Sequence, residues 1–261
     1  MEIVSPSNSL IKHAASLKQK KYRQIHSQFL AEGLNLVCDI FLSNSALVES
    51  VFVTMQAFSL FSKDKAFLKA NKNSIHIVSD LIIKKLSDTD TTQGIVAVVR
   101  INKQDLDCQI NRWDKSKLND QIVFLDKISD PGNLGTIIRT AVAANFSLVL
   151  SGCADPFSPK VVRSSMGSII KADIKINDHS ALSFLKQNGY VLIGADLNGQ
   201  CLTGAKKHGK VCIVIGSEAK GISGEVQNLC DQKITIPMKN QVESLNAAVS
   251  AGIMMYHFAK F

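Results

Sequence analysis

The stretch Gln121–Cys153, QIVFLDKISDPGNLGTIIRTAVAANFSLVLSGC, decides the fold. QIVFLDKI is an almost unbroken apolar run, and a Pro131-Gly132 turn ends it. LGTIIRTAVAAN then carries helical spacing, and FSLVLSG is a second apolar run. Strands that alternate along one face read apolar-polar, whereas strands buried on both faces of a parallel sheet read as continuous apolar segments. A helix between two such strands is the crossover that parallel pairing needs.

Working toward the carboxyl end, YVLIGADL, KVCIVIG and KITIPM repeat the strand signal. PKVVRSSMGSII, ALSFLKQNG and GEVQNLC supply helical segments between them. Residues 121–261 therefore read as an α/β domain, a parallel sheet with helices on both faces. Toward the amino end, SNSLIKHAASL and LNLVCDIFL have helical spacing, while VESVFVT, SIHIVS and QGIVAVVRI are short and β-branched. Residues 1–101 form a second, smaller α/β unit on this reading, and the polar stretch 102–120 is its linker.

The composition narrows the classes. Hydrophobic residues are 46% and charged residues 20% of 261, enough apolar material for two cores. Thirty Lys and Arg against 22 Asp and Glu give a formal charge of +8, which favours a polyanionic partner without choosing RNA over DNA. MEIVSPSNSL has no apolar core of a secretory signal, and no run reaches the ~18 apolar residues of a membrane span. The six cysteines are scattered, with no C-x-x-C pair and no His at zinc-ligand spacing, so the expectation is a reducing, cytoplasmic setting without a metal.

In an open α/β sheet ligands bind at the carboxyl ends of the strands, and three loops stand there. In DKISDPGNLGTIIRTA, Asn133 is placed to cap a helix, and Arg139 in its second turn is a cation suited to a phosphate. In VIGSEAKGIS, Gly216, Gly221 and Gly224 beyond it give a tight turn, and Glu218 is its acid. In ITIPMKNQVESLNAAVSAGIMMYHF, a helix opens near Ser244, with Asn246 beside it. Its later residues are apolar almost all round, so it must be buried on more than one face, in its own domain or against a partner. Neither G-x-G-x-x-G nor G-x-x-x-x-G-K-[ST] occurs, which counts against a nicotinamide, flavin or P-loop enzyme.

Taken together, NLGTIIRTA, IGSEAKGIS and IPMKNQVESLNAAVSAG resemble the three ordered motifs of the SpoU (TrmH-like) family of RNA ribose methyltransferases, in the SPOUT superfamily. KKYRQIHSQFLAEGLNLV and TTQGIVAVV resemble the amino-terminal RNA-binding domain common in that family, so the likeness covers nearly the whole chain. The resemblance implies a carboxyl-terminal sheet tied in a trefoil knot, S-adenosylmethionine held bent in the knotted loops, and a homodimer with the active site at its interface. By motif position it implies catalytic roles for Asn133, Arg139, Glu218, Ser244 and Asn246. It implies cofactor contacts, largely through backbone groups, at Ala195, Gly216, Ile236, Met238 and Leu245. Ala219 departs from the glycine of many members.

The activity so implied is methylation of a ribose 2′-hydroxyl, on ribosomal RNA of the large subunit in preference to transfer RNA. Arg139 is expected to hold a phosphate and stabilise the developing alkoxide, because a guanidinium with a pKa above ~12 is a poor base. Glu218 or a water is left to take the proton. Lys20, Lys21 and Arg23, in a cluster with Lys12, Lys18 and Tyr22, are the expected RNA contacts. The rivals are a transfer-RNA ribose methyltransferase, a non-catalytic RNA-binding protein on the same fold, and a nucleotide-binding oxidoreductase.

Overall fold

The computed structural model describes residues 2–61, 75–101, 113–240 and 242–260. It divides into two compact units, Met1–Lys103 with Asp155–Lys171, and Gln104–Ala154 with Ala172–Phe261. This differs from the expected single boundary, because a segment inside 121–261 joins the amino-terminal unit. Of the expected linker, 102–112 lies outside the described residues, and Trp113 is buried in the second unit's core beside Ile122 and Leu185.

In the amino-terminal unit the elements are β1 (Glu2–Ile3), α1 (Ser9–Ser16), α2 (Lys20–His26), β2 (Gln28–Glu32), α3 (Leu34–Asn44), β3 (Val48–Val53), α4 (Met55–Phe61), β4 (Ile75–Val78), α5 (Asp80–Leu86) and β5 (Ile95–Arg100). The strands form one sheet in the order β1-β4-β3-β5-β2, with β5 antiparallel to both neighbours. Ile11 and Ala14 of α1, Leu17 just past its end, and Ile82, Ile83 and Leu86 of α5 pack on Phe52, Val96 and Val98 of the sheet. Leu30 and Val98 are paired on adjacent strands, so one face of the sheet carries this core.

The joined segment contributes α6 (Pro159–Ser164), which packs against β2. It also explains a correction. Arg23, expected to meet RNA, is 5% exposed and spent on the fold. Its Nη1 donates to the carbonyls of Leu17 and Lys18 at 2.8 and 2.7 Å, and Nε and Nη2 donate to Asp155 Oδ2 at 2.9 and 2.6 Å. A buried cation keeps its charge only when paired and hydrogen-bonded, and this one has both. Lys20 and Lys21, by contrast, are exposed at the start of α2.

The second unit holds β6 (Gln121–Asp126), α7 (Pro131–Ala143), β7 (Ser147–Ser151), β8 (Ile174–Ile176), α8 (Ser180–Gln187), β9 (Val191–Cys201), β10 (Val211–Gly216), α9 (Gly224–Gln227), β11 (Gln232–Thr235) and α10 (Ala247–Phe258). Its six strands run in the order β11-β9-β10-β6-β7-β8, every pair parallel. The apolar runs are thus strands with both faces covered: Ile122 and Phe124 face α8, and Val123 and Leu125 on the other face are equally inaccessible. The short strand β8, in DIKIND, has no apolar run to announce it. α10 packs on α7 and on β10.

Candidate active site

The cleft of the second unit is built where β9, β10 and β11 hand over to their loops. β10 ends at Gly216, and a side chain there is impossible: an ideal Cβ would overlap the backbone of Gly221 and Ile222. The loop doubles back on itself, with Ser217 and Gly221 exchanging backbone hydrogen bonds at 3.1 and 2.8 Å, and Gly221 takes a φ of +65° that favours glycine. Buried Asp126, at the end of β6, accepts from the Ser223 amide at 2.7 Å and ties the loop's far end to the neighbouring strand.

A cleft of about 560 Å³ lies against this loop. Ala195, Gly216, Ile236, Met238 and Leu245, the five residues expected to embrace the cofactor, all line it. So do Glu218 and Ser244. Asn133, Asn246 and Glu218 come from three separate loops and form a hydrogen-bonded chain at its edge. Asn246 Nδ2 donates to Asn133 Oδ1 at 2.9 Å, and Asn133 Nδ2 donates to Glu218 Oε1. Both ends of the Asn133 amide are engaged, so its orientation is fixed from two sides.

Local capping sets these positions and corrects two expectations. α7 begins at Pro131, three residues before the expected start, and its cap is Asp130, whose side chain accepts from the Asn133 amide at 2.8 Å. Proline at the first helical position loses no needed donor. Asn133 is thereby released from capping and free to face Glu218. The other helix opens at Ala247, past the expected opening near Ser244, and its cap is Asn246, whose Oδ1 accepts from Ala248 and Val249 at 2.9 and 3.3 Å. Ser244 stays in the exposed loop before it.

Arg139 stands apart from this chain of amides. It is exposed on α7, lines no part of the cleft, and has no hydrogen bond or ion pair among the described residues. Its apolar neighbours Ile137, Ile138 and Ala141 are turned into the core, leaving the guanidinium to solvent.

Two acids were missed by sequence reasoning, Asp126 and Asp196. Asp196 lines the cleft and accepts from the Asn198 amide at 2.9 Å and from Gln227, with Lys233 at 3.7 Å. These partners, the Asn198 amide foremost, hold its carboxyl below the usual aspartate range. It follows directly on Ala195, and only its position at the cleft distinguishes it from an ordinary strand-end acid.

S-adenosylmethionine fits this donor set. Ile215, Ile236 and Leu245 offer apolar walls for a purine, the loop backbones offer its polar edges partners, and Asp196, Glu218 and Glu243 place negative charge around a cationic ligand. Among the described residues no group of three or more His, Cys, Asp or Glu could hold a metal, and no helix is long and apolar enough to cross a membrane.

A parallel sheet with its ligand cleft in strand-end loops, acidic at the rim and lacking a phosphate loop, defines an α/β enzyme domain that binds a nucleoside-type cofactor without the dinucleotide fingerprint. The comparisons make that class particular. Residues 120–256 match the SpoU rRNA Methylase family, and residues 8–97 match the MRM3-like substrate binding domain. The chain is 29% identical over 263 residues, 98% of each chain, to the 23S rRNA (guanosine(2553)-2'-O)-methyltransferase RlmP of Bacillus subtilis. It is 32% identical over 186 residues, 67% of this chain and 73% of the other, to the 23S rRNA (guanosine-2'-O-)-methyltransferase RlmB of Acinetobacter baylyi. Its fold is similar to that of an AdoMet-bound rRNA methyltransferase from Sinorhizobium meliloti, with a TM-score of 0.80, 28% identity, and 98% and 96% of the two chains covered. The chain belongs to the SpoU rRNA methylase family.

Proposed function

We propose that this chain methylates a ribose 2′-hydroxyl of RNA, with 23S ribosomal RNA the preferred substrate and S-adenosylmethionine the donor. The observation that carries the reading is the Asn246–Asn133–Glu218 chain, which draws the polar residues of three loops to one edge of a cofactor-sized cleft. The rRNA relatives and the amino-terminal match to a substrate binding domain support the substrate.

The donor supplies a methyl group on a sulfonium, a leaving group that departs neutral. The chain's own residues must then align the hydroxyl and take its proton. Asn133, itself held by Asn246, binds Glu218 through Oε1, which leaves Oε2 to receive that proton. Arg139 binds the phosphate next to the target ribose and stabilises the oxygen as it gains charge. Ala195, Gly216, Ile236, Met238 and Leu245, which line the cleft, would hold the donor.

Arg139, outside the cleft of its own chain, serves a site completed by a second copy. The support is α10, which packs on the helix carrying Arg139 and leaves Val249, Ile253 and Tyr256 at 50%, 37% and 51% exposure on its outer face. The match to the SpoU family supports a knotted path for the carboxyl-terminal segment. Action on ribosomal RNA supports a cytoplasmic location.

The test offers purified ribosomal RNA and bulk transfer RNA separately, with labelled methyl donor. Ribosomal RNA should be labelled and the label should survive base removal; labelling of transfer RNA alone removes the substrate assignment. Arg139→Ala should cut methyl transfer at least 100-fold, with donor affinity by calorimetry within a few-fold of wild type. An equal loss of both would overturn its assignment to RNA.

A further inference from the structure

A second cleft, of about 250 Å³, lies wholly within the amino-terminal unit. Its walls are the end of β2, the first turns of α3, the loop 89–93 and the residues at and just past the end of α6. Much of its polar lining is committed to the fold. Glu32 accepts from Ser87 Oγ, from Thr89 Oγ1 at 2.5 Å and from the Asp88 amide at 3.0 Å, and Gln93 accepts from the Leu34 amide at 2.8 Å.

Two charged groups in the lining are not so committed. Asp39 is exposed and has no hydrogen bond or ion pair among the described residues. Arg163 has a side chain 40% exposed, and its one ion pair is long, Nη1 standing 3.6 Å from Asp88 Oδ2 with no hydrogen-bond partner among the described residues. A guanidinium carries five N–H donors in a fixed fork, so one long ion pair leaves exposed donors for a ligand.

The backbone between them is strained toward the same opening. Met166 has a φ of 47°, unusual for a long side chain, and stands 57% exposed at the mouth. Gly167 follows at φ 82°, so close to Asp39 that a Cβ would sit 3.0 Å from Oδ2. Such conformations persist where surrounding structure enforces them, and they concentrate at ligand sites.

The cleft thus presents a carboxylate, an under-used guanidinium, and the apolar surfaces of Leu36 and Met166. A flat ring with N–H donors on one edge and acceptors on the next answers all of these. Among the bases, guanine has that pattern, with N1–H and N2–H₂ as donors beside O6 and N7 as acceptors. Proteins read RNA sequence chiefly from unstacked bases in loops and bulges. We propose that this cleft takes an unpaired guanine of the substrate RNA, a different nucleotide from the one methylated, with Asp39 accepting from N1–H and N2–H₂ and Arg163 donating to O6. The inference rests on RNA being the substrate.

The test uses the full chain and fluorescence anisotropy with single-stranded uridine oligoribonucleotides carrying one central guanosine, inosine or adenosine. Wild type should bind the guanosine strand about tenfold tighter than the adenosine strand, with inosine between them. Asp39→Asn, isosteric and exposed, should erase that preference, and Arg163→Lys should weaken it. Both variants should keep wild-type donor affinity and kcat on ribosomal RNA while KM rises. Equal affinity of wild type for guanosine and adenosine strands, or an unchanged preference in Asp39→Asn, overturns the inference while methylation of ribosomal RNA leaves the functional reading standing. Wild type that neither binds nor methylates RNA removes both.

Discussion

At Gly216 the backbone of Gly221 and Ile222 occupies the space where any other residue would carry Cβ. A methyl group there has to displace main chain, and main chain cannot rotate aside as a side chain can. Gly216→Ala should therefore cost about 1–3 kcal/mol of stability and, by shifting the loop that holds Glu218, weaken donor binding at least tenfold. Gly209→Ala is the matched control, since nothing lies within 4 Å of its Cβ position and the substitution should change neither property. Thermal unfolding and calorimetry on the two variants decide this; a Gly216→Ala protein with wild-type donor affinity would refute it. Arg23 shows the opposite limit of residue-scale reading. It sits in a run of lysines and looks like one of them, yet its partner Asp155 is 132 residues away, a distance in sequence that no local pattern spans.

Among the elements, α10 joins stability to chemistry through one cap. Asn246 Oδ1 satisfies two amides of the first turn, and Asn246 Nδ2 holds Asn133. Asn246→Ala should lose both, about 1 kcal/mol of stability and most of the activity. Asn246→Asp keeps a capping oxygen but has no donor for Asn133, so it should recover the melting temperature without recovering kcat. Recovery of both by Asp would show that the amide contact is idle. This division of labour was only partly legible beforehand. The strands of the second unit could be read because burial on both faces makes them unbroken apolar runs. Helix starts were displaced because Asp130 and Asn133, three residues apart, are both good capping residues, and only the backbone decides which one caps. The motif positions gave Glu218, Asn133 and Asn246, but Asp126 and Asp196 gave no signal, since a strand-end acid looks the same whether it holds a loop or meets solvent.

For the whole molecule, α10 raises the question of assembly. Ala248, Ala251, Met255 and Phe258 are buried in the chain itself, while Val249, Ile253 and Tyr256, spaced by four and three, lie together on the opposite face. An exposed apolar face of this kind is closed most simply by a two-fold axis. Wild type should scatter light as a dimer at micromolar concentration, and Ile253→Glu should run as a folded 28.4 kDa monomer with little methyl transfer. A wild-type monomer would remove the dimer, and an active monomeric variant would remove the shared site. The path of residues 155–171 bears on how such a protein can be taken apart. The chain passes between the two units three times, so the amino-terminal unit cannot be excised as a cassette with a single cut near residue 101. A fragment ending there would keep Arg23 without Asp155, and Asp39 without Arg163. Exchanging this unit between relatives therefore means carrying two separate pieces of chain and restoring the Arg23–Asp155 bond that closes them on each other.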